Sequence, residues 1–299
     1  MRLTGVLISL VPTFIVHVSG YAVRSGKVLR SDLDQGSNEG LVTNIINGVQ
    51  TDSDEFGFAA QIFLKSGNSY RFVCTGSLIT ENYILTAGHC AITNNVEISP
   101  DSYRIVLGSR SLGNPNSGTD YYNVVKVNPG NYATNSAHDI ALLKLEKSVP
   151  NSVATPIKVY SFRVYNKLPV TVAGWGVTTA GSATPSNILL KTVVDISSSS
   201  NCTNYNRDWT TNYGPLICQE SYTGNDSCQG DSGGPLVTVL DGEQVLVGMT
   251  SNGSNKDPSA SNECGDNSIA FYTRIGYFLK FISDETGVSI GNLSKRLNL

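Results

Sequence analysis

From Ile45 onward the chain is broken into short runs of β-branched and aromatic residues, each ending in a cluster of turn formers. Tyr103-Arg-Ile-Val-Leu107, Tyr121-Tyr-Asn-Val-Val-Lys-Val127, Val170-Thr-Val-Ala173, Gln244-Val-Leu-Val-Gly248 and the run Ile269 to Ile275 are of this kind. Many short strands at such spacing point to antiparallel barrels or sandwiches. The 14 Tyr and 29 Gly lean the same way, towards strands joined by turns. One helix is expected late. Ile275, Phe278, Leu279 and Ile282 share a face at helical spacing, a stripe that reads as core packing and ends near Gly287. Residues 287–299 are expected to form a short loose tail.

The amino terminus has a different character. Met1-Arg2 is a short positive start, Leu3 to Val18 is almost all apolar or small, and Ser19-Gly20 and Ala22 supply small residues. This pattern reads as a secretory signal peptide over residues 1–20, the run being short for a membrane span of about 20 residues. Residues 21–44 are polar with no sustained apolar period, too little apolar surface to fold alone, and read as a pro-segment. A secreted, extracellular protein is therefore expected, with no membrane contact once the signal is removed. Its six Cys make an even count that suits disulfides outside the cytosol. A formal net charge of −3 gives no basic field to favour nucleic acid.

Only three His occur, at 17, 89 and 138, and His17 goes with the signal peptide. Imidazole chemistry must therefore use His89 or His138. Two His and no close pair of Cys do not make a zinc site, and no metal and no cofactor are expected. His89 stands in Leu85-Thr-Ala-Gly-His-Cys90 and His138 in Ala137-His-Asp-Ile-Ala-Leu-Leu143. Far downstream comes Asp226-Ser-Cys-Gln-Gly-Asp-Ser-Gly-Gly-Pro235.

Segments of this kind in the order His, Asp, Ser resemble the chymotrypsin/trypsin family of serine peptidases. Gly76-Ser-Leu-Ile79, Gly174-Trp-Gly176 and Tyr272-Thr-Arg274 support the resemblance, which covers roughly residues 45–286. It carries one departure at once: Gly88 stands where Ala is usual. The fold it implies is all-β, with two antiparallel six-stranded Greek-key barrels, the active site between them and a C-terminal helix. The first barrel would occupy about 45–160 and the second about 161–286 of a peptidase domain over 45–299.

The resemblance also implies roles. A serine hydroxyl is a poor nucleophile at neutral pH and needs an adjacent base. Ser232 would be the nucleophile, His89 its general base and then acid, and Asp139 the group that orients and stabilises the imidazole. The N–H groups of Gly230 and Ser232 would form the oxyanion hole. Ser251 would hydrogen-bond Asp139, and His138 would have no catalytic part. Asp226 would be the floor of the primary pocket, lined further by Ser227, Ser251, Gly253 and Ala270. A buried carboxylate there calls for a cationic partner, so cleavage after Arg or Lys is expected.

Two departures touch the pocket: Asn252 replaces the usual Trp, and ten residues separate Gly253 from Cys264. Ala270 also replaces a Gly. The resemblance implies the pairs Cys74–Cys90, Cys202–Cys218 and Cys228–Cys264, which spacing alone leaves open. It further implies activation by cleavage before Ile45, whose freed amino group would pair with Asp231. Asn44 precedes that bond where trypsinogens carry Lys or Arg, so a different, Asn-tolerant activating protease is expected. Gly108 to Thr119 holds no acid, and no calcium is expected there. Sequons stand at Asn201, Asn225, Asn252 and Asn292, of which Asn292 is the favoured glycosylation site. The partners implied are protein or peptide substrates with Arg or Lys, protein protease inhibitors and the activating protease, acting on a monomer. The alternative is a catalytically silent binding or inhibitor protein on the same scaffold, against which the retained His, Asp and Ser weigh.

Overall fold

A computed structural model describes residues 45–53, 55–260 and 263–295. The expected signal peptide and pro-segment lie outside the described residues. Twelve strands carry the fold. In the first half they are β1 (Ala59–Ser66), β2 (Ser69–Thr80), β3 (Tyr83–Thr86), β4 (Tyr103–Val106), β5 (Tyr122–Asn128) and β6 (Ala141–Leu145). They close a six-stranded antiparallel barrel in the order β1-β2-β3-β6-β5-β4. Closure leaves no open edge, and alternate side chains point inward. Ile62, Leu78, Ile84, Ile105 and Leu143, which the strand pairings put on one face, fill the interior at 0% exposure. Each such side chain is worth about 1.5–3 kcal/mol of burial.

The second half holds β7 (Val170–Gly174), β8 (Leu190–Val194), β9 (Leu216–Glu220), β10 (Pro235–Leu240), β11 (Glu243–Asn255) and β12 (Ser268–Arg274). Their hydrogen-bonded order is β8-β7-β10-β11-β12-β9, and β9 then pairs with the two-residue strand Ile196–Ser197. Only Asp195 separates that short strand from β8. β8 and this short strand follow one another through Asp195, so the chain, not a hydrogen-bonded ladder, joins the two ends of the sheet. Val172, Leu236, Val245, Val247 and Tyr272 fill this second core.

The late helical stripe forms α2 (Leu279–Thr286), after α1 (Ser200–Tyr205). Phe278, Leu279 and Ile282 pack into the cluster that belongs to the first barrel. Gly287 ends α2 at φ +72°, a left-handed cap that glycine takes without a Cβ penalty.

As far as Lys295, the loose tail expected beyond Gly287 is replaced by a docked one, and residues 296–299 lie outside the described residues. A one-turn helix, α3 (Ile290–Leu293), puts Leu293 at 2% exposure against the first-barrel cluster. Lys295 N–H donates to the Val159 carbonyl at 3.0 Å, and Ser294 bridges Val159 in parallel. The segment is too short for a periodic signal, so its single anchoring leucine was not legible. Leu293→Ala should lower unfolding free energy by about 2 kcal/mol in denaturant titration. A loss under about 0.5 kcal/mol would show the segment to be undocked.

Candidate active site

The segment Gly230-Asp-Ser-Gly-Gly234 is a tight loop clipped between the two barrels. Thr75 N–H, on β2, donates to the Ser232 carbonyl at 2.9 Å, while Gly233 N–H donates to the Thr250 carbonyl on β11 at 2.8 Å. Thr75 Oγ1 donates to the Gly230 carbonyl at 3.0 Å. Gly233 sits at φ +75°, and a Cβ there would fall 2.1 Å from Thr86 Oγ1 and 2.5 Å from the Thr75 carbonyl. Nothing but glycine fits this close approach.

His89 lies in a single 3₁₀ turn, Gly88–Cys90, tied to β2 by the Cys74–Cys90 disulfide. Its Nδ1 lies 2.9 Å from Asp139 Oδ2, and its backbone N–H donates to Asp139 Oδ1 at 2.9 Å. From the second barrel, Ser251 Oγ donates to Asp139 Oδ2 at 2.5 Å and Thr273 Oγ1 to the Asp139 carbonyl at 2.7 Å. Asp139 is 2% exposed. Ser251 reaches it because β11 carries a bulge: Thr250 pairs with Tyr272 and Asn252 with Phe271, leaving Ser251 outside the ladder. The unusual Gly88 also finds a reason. A methyl group there would stand 2.6 Å from Tyr132 Cβ, so a glycine accompanies this tyrosine.

His89, Asp139 and Ser232 line one cavity of about 420 Å³ together with Asp226, Ser227, Ser251, Asn252, Gly253, Glu263 and Ala270. Gly230, Asp231 and Ile45 are not part of its wall. His138 turns away, with Nδ1 at 2.8 Å from Asn131 Oδ1 and its ring edge-on to Phe278. Disulfides Cys202–Cys218 and Cys228–Cys264 brace the second barrel and the cavity wall. Among the described residues, Cys74, His89 and Cys90 alone cluster densely enough for a metal, and both sulfurs are spent in their disulfide.

Two carboxylates here are buried, Asp226 in the lining of the cavity and Asp231 outside it. Asp226, 1% exposed, accepts hydrogen bonds from Gly265 N–H at 3.0 Å, Ser268 Oγ at 2.5 Å and Ser227 N–H at 2.9 Å. Burial pushes its carboxyl up to about 6, the three neutral donors offsetting only part of the desolvation. Asp231, 0% exposed, accepts from Gly176 N–H at 2.8 Å and Cys228 N–H at 2.9 Å. Burial, with a smaller push from Asp226, raises it to about 7. Neither carboxylate has a cationic side chain in ion-pair reach among the described residues. Ile45 is fully buried at φ +49°, a left-handed conformation costly for a β-branched residue, and Ile46 bridges Asp226 in antiparallel fashion.

Sequence reasoning did not single out Tyr132, Thr75, Ser268 or Glu263. Their residue types are common at surfaces and strand ends, and only the folded contact distinguishes them.

Comparison with known proteins agrees with this geometry. The sequence model described as Trypsin matches residues 45–282. The chain is 31% identical over 81% of its length to the serine protease Hayan of Drosophila melanogaster, spanning 39% of that longer protein. It is 30% identical over 80% of its length to trypsin delta of Drosophila erecta, covering 88% of it. To chymotrypsin-like elastase family member 1 of Macaca fascicularis it is 28% identical over 78% of its length, covering 86% of that protein. With a family match across most of the chain and a two-barrel fold around one shared cavity, the protein belongs to the trypsin family of serine proteases.

Proposed function

We propose that the protein is a secreted endopeptidase that cuts after Arg or Lys through a Ser-His-Asp acyl-enzyme mechanism. The observation that carries the specificity is Asp226: a buried carboxylate in the lining of the same cavity as Ser232, held by neutral donors alone. A guanidinium or ammonium entering the cavity would supply the missing counter-charge. Ala270 narrows the pocket by one methyl relative to glycine, an effect of about 1–3 kcal/mol at most, which shifts the Arg-to-Lys ratio rather than the charge preference. Relatives named as a trypsin and as an elastase both resemble the chain, so the pocket residues decide, not the family.

In the reaction His89 Nε2 takes the Ser232 proton as Oγ attacks the scissile carbonyl, and Asp139 holds Nδ1–H and stabilises the imidazolium. The N–H groups of Gly230 and Ser232 receive the oxyanion. His89 then gives its proton to the leaving amine, and water repeats the sequence on the acyl-enzyme to release the acid and restore Ser232.

Activation would follow cleavage between Asn44 and Ile45 by another protease. The freed ammonium is the natural partner of Asp231, whose two present partners are backbone N–H groups only. Secretion, a pro-segment removed at that bond and control by protein inhibitors belong to the same proposal. For glycosylation, Asn292 is exposed, whereas the Asn201 amide is held by Glu220 and that of Asn225 by the Val193 carbonyl. The competing reading is a silent binding protein on this scaffold.

A serine-directed phosphonate separates the two readings: matured protein should label at Ser232, and absence of labelling would sink the hydrolase. Ser232→Ala should lower turnover by about six orders of magnitude in a peptide assay. Asp226→Ser should reduce kcat/KM for Arg and Lys substrates by about a thousandfold or more relative to apolar ones; an equal loss on both would refute the pocket assignment.

For the uncleaved precursor the pH dependence has a definite sign. Asp231 is raised to about 7 in the fold, so the stability it contributes is complete below its unfolded value near 3.8 and is lost as pH rises through 7. Urea titrations from pH 4 to pH 8 should show that decline, and Asp231→Asn should reduce it to the share that Asp226, raised to about 6, still contributes. A precursor that gains stability over this range would contradict the assignment.

A further inference from the structure

The family resemblance leaves Asn252 as a lost aromatic side chain, but its contacts give it a task. Its Nδ2 donates to Ser251 Oγ at 3.0 Å, and Ser251 Oγ lies 2.5 Å from Asp139 Oδ2. The same Oδ2 lies 2.9 Å from His89 Nδ1. The bulge in β11 makes this chain of contacts possible, because it breaks the strand alternation that would send side chains 251 and 252 to opposite faces.

We infer that Asn252 is a positioning residue for the proposed triad: its amide locks the Ser251 hydroxyl onto Asp139. The inference rests on the hydrolase reading and deepens it. A serine hydroxyl has one proton and two acceptor lone pairs, and its rotor is otherwise free to turn. An amide N–H is a donor only, so it occupies a lone pair of Ser251 and the serine proton has no reason to point back. That proton lies on the short contact to Asp139. A tryptophan at this position would present its single N–H at the far end of a long ring system, out of reach of a neighbouring Oγ.

Two consequences reach His89. The carboxylate is held by three donors, namely the His89 backbone N–H, His89 Nδ1 and Ser251, so its plane is fixed against the imidazole. The Ser251 hydrogen bond also draws charge from the carboxylate. If Ser251 turns away, more negative charge faces the ring, the imidazolium persists to higher pH, and the base is available over a narrower range.

The variants Asn252→Ala and Asn252→Asp separate this role from packing. Alanine merely frees the rotor, whereas an ionised aspartate accepts only and pulls the serine proton away from Asp139. With matured protein and a single-arginine peptide, kcat should fall about threefold in the first and about tenfold in the second, with KM within about twofold. The acid limb of the kcat profile should move to higher pH in both. In a Ser251→Ala background the same Asn252→Ala change should have no further effect on kcat, the coupling of a shared network. An Asn252→Ala enzyme with wild-type kcat and pH profile would overturn the inference, as would a loss confined to KM or one that persists undiminished without Ser251. Failure of the hydrolase reading itself looks different: matured wild type would then neither cleave the peptide nor take the phosphonate.

Discussion

The carboxylate of Asp139 is where the two barrels are joined chemically. His89 addresses it twice from the first barrel, and Ser251 addresses it from β11 of the second. Thr273, on β12, holds its backbone carbonyl. A buried charge must be compensated at each oxygen, so the barrels cannot drift apart without exposing an unsatisfied carboxylate. Cleft geometry and the placing of His89 against Asp139 are thus one constraint. The Ser232 loop adds a second clip across the same junction, through Thr75 on one side and Thr250 on the other.

Three other buried carboxylates show how donors, more than depth, set the charge state. Glu220, 1% exposed, is desolvated too, yet hydrogen bonds from Asn201, Ser199, Ser197 and Tyr222 outweigh that and hold it down to about 2. Lys256 adds an ion pair at 3.4 Å. Asp226 has three neutral donors and rises to about 6, and Asp231 has two and rises to about 7. Glu220 is a finished network and serves structure, fastening the short strand Ile196–Ser197 and the start of α1. Asp226 and Asp231 are unfinished, each short of a cation. The proposed function supplies one to each, a substrate side chain to Asp226 and a freed amino terminus to Asp231.

Much of this was legible before folding. The His, Asp and Ser segments could be read because close packing around a nucleophile tolerates few residue types: Gly233 is there since no Cβ fits against Thr86 and Thr75. The β runs were legible from β-branched and aromatic residues set between turn formers, and the late helix from its stripe. What stayed hidden depends on contacts between residues that carry no local signature. The break at Asp195, the docking of Leu293 and the Glu220 network belong to this class. Each is decided by what another part of the chain presents, and each uses residue types common on surfaces.

The departures from the family pattern lose their arbitrariness once their neighbours are considered. Gly88 makes room for Tyr132. Asn252 gives up an aromatic face and gains a donor onto Ser251. The extended segment after Gly253 is not left to hang: Lys256 N–H bonds the Asn267 carbonyl at 2.8 Å, Tyr205 OH bonds the Lys256 carbonyl at 2.6 Å, and the lysine head reaches Glu220. Asn255 Nδ2 ties it again to the Asp266 carbonyl at 3.3 Å. These ties hold residues 255 and 256 against the second barrel, and each must break before this stretch can swing.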